Sequence, residues 1–443
     1  MVFSAGLRDS IGGETVNTTL MWPGKQECVS MAERPTKKCL QPVQEYSVDW
    51  DRTQNVYIEG DNLDAMKILR RTHERRIKCI YIDPPYNTGK SLVYKDGFSV
   101  HSEWLNMIYP RLILARHLLS DDGAILISID DNELHRLRLI CDEVFGADHH
   151  VLTVVVNRAS EIASSNTISK HEYMLIYCRD KDRFKVDGMK KYTLSRATVG
   201  NSGQTMPVIE FPKGLRCEGV EDGIYYETRR VPGSRENIEN LGPIVVKDAK
   251  LAENVKLRAR WRSSNDMRRF FANNCRPTPA KISGVIEEIY FRGDRFVPYI
   301  KKLTFEKIPS LYLENRRGSA DLEKLGMGNW FPFPKSIAFL KRYLSYLDLA
   351  DGEFVLDFFS GSAATAQAVM ELNAEDGGMR RFIMIQLPEK LGPGSSAYQA
   401  GCRDICHIGQ ERIRRAAEKI KRETGAEIDY GFKVYRTAEI GAE

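Results

Sequence analysis

No stretch of this 443-residue chain approaches the ~18–20 consecutive apolar residues of a membrane span. Its first residues, Met1 to Asp9, lack the apolar core of a secretory leader. Paired cysteines are also missing. The nine cysteines are an odd number and are scattered singly, which argues against a disulfide framework and for reduced thiols in a cytoplasm. Only Cys402, Cys406 and His407 lie close together, and without a second ligand pair they read as one face of a helix, not a metal site. No charge of one sign dominates, with 65 Lys and Arg against 60 Asp and Glu. A G-x-G-x-x-G turn opening a helix after a strand is absent, which excludes an ordinary dinucleotide dehydrogenase. Internal repeats and low-complexity tracts are absent as well.

What the chain does have is 42% apolar residues, enough for a soluble globule of two or three domains. Its most informative stretch is Ile80-Tyr81-Ile82-Asp83-Pro84-Pro85-Tyr86-Asn87. Cys79 to Ile82 is a continuous apolar, β-prone run and reads as a buried strand. Two prolines cannot continue a ladder, so the chain leaves the sheet stiffly there. Asp83 and Tyr86 are thereby expected at the C-terminal edge of a strand, where open α/β sheets bind ligands.

Around this stretch the chain divides into four parts. Residues 1–54 form a polar arm anchored by Trp22-Pro23-Gly24 and Trp50-Asp51. Residues 55–180 alternate strands and helices, with strands at 55–59, 79–82, 123–129, 151–156 and 173–178. A helix over 104–119 bends at Pro110, and Asp130-Asp131-Asn132 caps the helix carrying Leu134, Leu137, Ile140 and Val144. Residues 181–328 lose this patterning. Lys256, Arg258, Arg260, Trp261, Arg262, Arg268 and Arg269, with Arg292, Arg295, Lys301, Lys302, Arg316 and Arg317, interleave with Phe270, Phe271, Phe291, Phe296 and Tyr299. Such a mixture suits phosphate contacts with base reading, and equally a solvated surface. Residues 329–443 return to α/β pattern, ending in a basic helix from about Asp404 to Glu423.

This last part holds a second constellation. A strand delivers Asp357, the turn Phe358-Phe359-Ser360-Gly361-Ser362-Ala363 follows, and a helix then opens with free N–H groups. The next strand ends at Glu389, an acid placed to meet ribose hydroxyls.

Asp83-Pro84-Pro85-Tyr86 resembles the catalytic motif of amino-group DNA methyltransferases. Asp357 to Ala363 resembles their Asp-x-Phe-x-Gly-x-Gly motif for S-adenosylmethionine. Ala363 replaces the last Gly, and one methyl group at a point of close approach is expected to weaken cofactor affinity. The catalytic motif precedes the cofactor motif with a basic insert between them. That order resembles the beta group, and within it the modification subunit of type III restriction–modification systems or a solitary relative. The resemblance also covers Met21 to Lys25, Tyr57 to Asn62, Ser102 to Met107, Ser128 to Asn132, Ile168 to Tyr173 and Phe333 to Lys335. The chain is short for a full subunit of that kind.

The resemblance implies an α/β, Rossmann-like S-adenosylmethionine-dependent methyltransferase fold with permuted motif order and an inserted target-recognition region at 181–328. It implies transfer of a methyl group to adenine N6 in a short DNA sequence. Cytosine N4 as target, or a decayed sequence-specific DNA-binding protein, remain the alternatives; a carbon-5 cytosine enzyme would need a Pro-Cys motif, and there is none. Asp83 and the carbonyl of Pro84 would hold the amine, beside Pro85, and Tyr86 would stack on a flipped base. Asp61 would meet the cofactor's adenine, Phe359, Ser360, Gly361 and Ala363 its body, Glu389 its ribose, and Lys335 would sit near its methionine end. Arg258, Arg260, Arg262 and Arg268 are the DNA-binding candidates. Double-stranded DNA, a homodimer partner and a type III restriction subunit are the partners implied, in a cytoplasmic protein with no metal or membrane.

Overall fold

The apolar run before Asp83 becomes the strand Ile77–Ile82, in which every residue is buried. The structure, a computed structural model, describes residues 9–11, 14–16, 19–90, 93–163, 166–186, 188–199, 206–227, 238–293, 295–313 and 317–441. The described chain forms two compact units, Gly188–Lys307 and the remainder.

The larger unit is built on one ten-stranded sheet. Its strands run in the spatial order Leu311–Tyr312, His150–Ala163, Ile168–Cys178, Leu119–Ile129, Ile77–Ile82, Phe354–Asp357, Arg381–Gln386, Val56–Glu59, Lys433–Glu439 and Lys38–Pro42. The six from Leu119–Ile129 to Lys433–Glu439 are parallel. Parallel strands carry helices on both faces and are buried on both, which is why they read as unbroken apolar runs. Ile77–Ile82 lies directly beside Phe354–Asp357, with Val355 opposite Cys79 and Leu356 opposite Ile80. Two segments far apart in the chain thus bring Asp83 and Asp357 to the same sheet edge, where the strand order reverses. That is where an open α/β sheet leaves a crevice.

Helices Asn62–His73, His101–Leu118 and Leu134–Phe145 cover the sheet with Ala364–Asp376 and Ile405–Thr424. The first begins at Asp61, whose side chain caps it by accepting from the backbone of Leu63 at 2.8 Å. His101–Leu118 buries Trp104, Ile108, Leu112 and Ala115 as one stripe. Pro110 lies inside it.

Several sequence expectations are corrected. The helix expected to be capped by Asp130-Asp131-Asn132 starts at Leu134, with Glu133 as its N-cap. Asp130 instead folds its carboxylate back onto Asn132. The N-terminal arm, expected to be no domain of its own, lies in the large unit and carries regular elements that its polar sequence did not announce: Lys25–Glu33 is a helix, Trp22 packs edge-on to Tyr109, and Lys38–Pro42 adds an edge strand. Residues 308–328, read as part of the insert, also join the large unit. Leu311–Tyr312 pairs with Val155 and Val156, a strand too short to show a period.

The smaller unit has its own sheets and core, in which Trp261, Phe270, Phe291 and Phe296 are buried. These aromatics were expected to interleave with cations on a base-reading surface. Burial of their rings outweighs that role here, since each ring removed from water contributes roughly 1.5–3 kcal/mol. Arg316 lies outside the described residues.

Candidate active site

Asp83 lines a cavity of about 420 Å³ in the large unit. Two groups hold one of its oxygens. The Tyr86 hydroxyl donates to Asp83 Oδ1 at 2.8 Å. The Lys335 ammonium lies 3.3 Å from the same oxygen. Lys335 also donates to the Tyr86 hydroxyl at 2.6 Å and to Glu172 Oε1 at 2.6 Å. Burial pushes the Asp83 carboxyl above the ordinary range; Lys335 opposes that shift and Glu172 adds to it.

The turn carrying Asp83 is braced from outside the motif. Trp104, fully buried, donates its indole N–H to the Pro85 carbonyl at 2.7 Å. Asn87, at φ +60°, donates to Glu133 Oε1 at 2.7 Å and accepts from Phe98 N at 3.0 Å. Asp96 receives the backbone N–H of Asn87 at 3.1 Å and of Thr88 at 3.3 Å. This lashed loop places Tyr94, Lys95 and Phe98 on the cavity wall. Tyr94 stacks on Phe331 there.

At the other end, Asp357 brackets its own turn. It accepts from Thr365 Oγ at 2.6 Å and from Phe359 N at 3.1 Å. Burial pushes its carboxyl up to about 7, and the nearby charge of Asp83 adds to the shift. A folded-state value above the unfolded one means that this group's contribution to stability is full only below its unfolded value of 3.8 and is lost as pH rises through about 7. Asp357→Asn, which removes the titration, is expected to flatten that loss by on the order of 2–4 kcal/mol. Urea unfolding midpoints of both proteins between pH 4.5 and 8 check this; parallel pH profiles would refute it.

Gly361 has φ +49°, and a Cβ there would come within 3.1 Å of the Phe331 ring. Glycine is therefore needed for backbone and space together. Ala363 sits at φ +60°, fully buried, as the N-cap of Ala364–Asp376. It does not line the cavity. The position asks for a left-handed backbone, where Ala is strained by roughly 1–2 kcal/mol relative to Gly.

Asp61, Lys335, Phe359, Ser360, Gly361 and Glu389 all line the cavity with Asp83, Pro85 and Asp357. Pro84 is buried and Tyr86 lies behind Asp83; neither lines the cavity. Asp61 pairs with Arg111 at 3.1 Å. Glu389 accepts the Lys95 N–H at 3.2 Å. Lys335, expected near the cofactor's methionine end, contacts the Asp83 carboxylate at 3.3 Å.

Sequence reading passed over Glu172, Trp104, Arg111, Gln386 and Arg412. Gln386 Oε1 accepts the Gly361 N–H at 2.7 Å. Arg412, counted with the basic face of its helix, is fully buried and donates to Ser362 Oγ at 2.8 Å and Gln367 Oε1 at 2.9 Å. Its place in the buried stripe Ile405, Gly409, Arg412, Ala416 was the available signal.

The cation candidates lie in the smaller unit. On the strand Val255–Ala259, Val255, Leu257 and Ala259 face the core, so Lys256 and Arg258 point the other way. Arg258 pairs with Glu239 at 3.3 Å, and Arg268 donates to the Val208 carbonyl at 3.2 Å. Arg262 is exposed and Arg260 half-buried. Among the described residues, no three His, Cys, Asp or Glu side chains are grouped to hold a metal ion. Cys406 contacts the Gln386 carbonyl, and His407 packs against the N-cap Asp404.

This geometry coincides with the span of a family model described as DNA methylase, which matches residues 77–393. The chain belongs to the DNA methylase family. Its relatives include the type III restriction–modification enzyme StyLTI Mod subunit of Salmonella typhimurium, 32% identical over 87% of this chain and 60% of the relative. The EcoP15I Mod subunit of Escherichia coli is 28% identical over 94% and 71%. The type II methyltransferase M.KpnI of Klebsiella pneumoniae is 28% identical over 83% and 88%. The methylase thus spans about 60% of the length of the StyLTI relative.

Proposed function

We propose that this methylase transfers a methyl group from S-adenosylmethionine to adenine N6 within a short DNA sequence. The observation that carries the reading is the pairing of the Asp83 turn with the Asp357 turn on one cavity. The cavity suits the cofactor. Its volume falls in the range of about 300–1,000 Å³ usual for small-molecule sites. Asp61 and Glu389 offer acceptors for amine and hydroxyl groups, and Phe331 and Phe359 offer aromatic surface. Acidic and aromatic groups together favour a cationic ligand.

Bound there, S-adenosylmethionine supplies a methyl group on a positively charged sulfur. The protein's part concerns the target amine, a poor nucleophile because its lone pair is delocalised into the ring. The Asp83 carboxylate and Pro84 carbonyl accept its two N–H bonds, which frees the lone pair. Asp83 then takes the proton that the methylated nitrogen releases. Fixed acceptors in a water-poor pocket provide such help without reorganising. A base inside a duplex cannot reach this pocket, so the target base flips out. The Gly188–Lys307 unit is proposed to contact the DNA around it. Because the Mod relatives are named as parts of type III enzymes, a restriction subunit is the protein partner proposed.

Modified-base sequencing of DNA from a methylation-free host expressing the chain tests this. N6-methyladenine at one short motif is expected. Marks on one strand of an asymmetric motif would support the type III kinship. Methylcytosine would redirect the reading to N4 chemistry, and unmodified DNA with folded protein present would overturn it.

A further inference from the structure

Lys335 precedes the helix Ile337–Leu344, Glu172 lies in the strand Ile168–Cys178, and Asp83 and Tyr86 lie in the turn after Ile77–Ile82. Three separate segments therefore meet at one ammonium group. An ammonium has three protons. Three oxygens surround this one: Glu172 Oε1 at 2.6 Å, the Tyr86 hydroxyl at 2.6 Å and Asp83 Oδ1 at 3.3 Å. The Tyr86 hydroxyl, receiving from Lys335, donates its own O–H to Asp83 Oδ1 at 2.8 Å. The Tyr86 hydrogen bond and the Lys335 ion pair to the Asp83 carboxylate thus converge on one oxygen. Among the described residues no hydrogen bond reaches Oδ2.

We propose that Lys335, anchored by Glu172, is a positioning residue for Asp83: it commits Oδ1 to the protein, leaves Oδ2 to receive the substrate amine, and supplies the positive counter-charge. The inference rests on the methyl-transfer reading above. Asp83 must be ionised to take a proton from the amine, and an ionised oxygen is also the stronger N–H acceptor. Burial alone drives a carboxylate towards its neutral form, and a cation within about 4–6 Å opposes this. The charged groups that face Asp83 are Lys335, Glu172 and Asp357, and the hydroxyls are those of Tyr81, Tyr86 and Tyr94. Lys335 is the one cation among them, facing two further carboxylates.

Opposite charges on the two anchors make opposite predictions. Rates of methyl transfer to unmethylated genomic DNA from the methylation-free host are measured against pH, using the full chain. Lys335→Met is expected to move the acid limb of the profile up by about 1–3 pH units. Glu172→Gln, which removes a repelling carboxylate, is expected to move the limb down. Lys335→Arg is expected to return the limb towards its original position. Uniform loss at all pH values with the limb unmoved would reduce Lys335 to a packing residue.

A second measurement needs neither DNA nor cofactor. The protonated-carboxyl infrared band of Asp83 is isolated by subtracting a spectrum of the same protein carrying Asp83→Asn. It is expected at neutral pH in Lys335→Met and absent in the parent and in Lys335→Arg. If the parent chain methylates no DNA, the reading of function fails while this band still decides the Lys335–Asp83 link. If the parent methylates DNA and neither limb nor band moves, only the positioning role fails. Should Lys335→Met not fold, the Glu172→Gln limb and the Lys335→Arg band carry the test.

Discussion

Asp83→Ala is expected to reduce methyl transfer by on the order of 10³-fold or more while S-adenosylmethionine binding stays within a few-fold of the parent. The asymmetry follows from the site's layout. Asp61 and Glu389 lie with Phe359 and Gly361 on the cavity wall and depend on other partners. Asp61 is held by Arg111, and Gly361 by Gln386. None of these contacts passes through Asp83. The variant should also fold, because Lys335 keeps Glu172 and Tyr86 as partners and a carboxyl whose charged form is disfavoured by desolvation is removed. Single-turnover transfer and calorimetric cofactor binding read the two effects separately. Near-normal turnover would remove Asp83 from the reaction.

The largest stability effect is expected at Trp104. Trp104→Ala should cost about 3–5 kcal/mol, the usual range for deleting a large buried aromatic side chain. Its ring lies fully buried in the main core, among Leu105, Ile108 and the strand Ile77–Ile82. The indole N–H also fixes the Pro85 carbonyl at 2.7 Å. Trp104→Phe separates the two roles. The phenyl ring keeps most of the packing, while the Pro85 carbonyl loses its donor, a loss worth about 1–3 kcal/mol for a buried polar group. Because Pro85 adjoins the acceptor atoms, turnover should fall further than stability does. A misplacement of about 1 Å at reacting groups costs roughly 10²-fold. Urea midpoints and turnover for both variants test this. Equal turnover in parent and Trp104→Phe would show that the indole bond does not position the motif.

The legible parts of this protein were those written in neighbouring residues. The strand before Asp83 could be read because parallel strands are buried on both faces and need unbroken apolar runs. The turn after it could be read because two prolines cannot stay in a ladder. The stripe Trp104, Ile108, Leu112 could be read from helical spacing. The DNA methylase family was legible in the residues at 83–86 and 357–363, and the comparison agrees. The aromatics of the insert show the limit. Interleaving of cations and rings along a line does not say which face each takes, and Trp261, Phe270, Phe291 and Phe296 proved to be core. Arg412 shows the reverse case, a cation inside an otherwise buried stripe.

By itself, then, the sequence determined the main strands and helices of the α/β parts, where Asp83 and Asp357 leave the sheet, and the class of chemistry. These depend on steric rules acting over a few residues. Only the tertiary structure decided that Lys335 and Glu172 meet at Asp83, that Trp104 holds Pro85, and that Ala363 bears a backbone strain without lining the cavity. Those facts depend on which strands lie side by side in the sheet. A hydrogen bond extends about 3 Å whatever the separation along the chain, so it becomes visible only once the chain has folded.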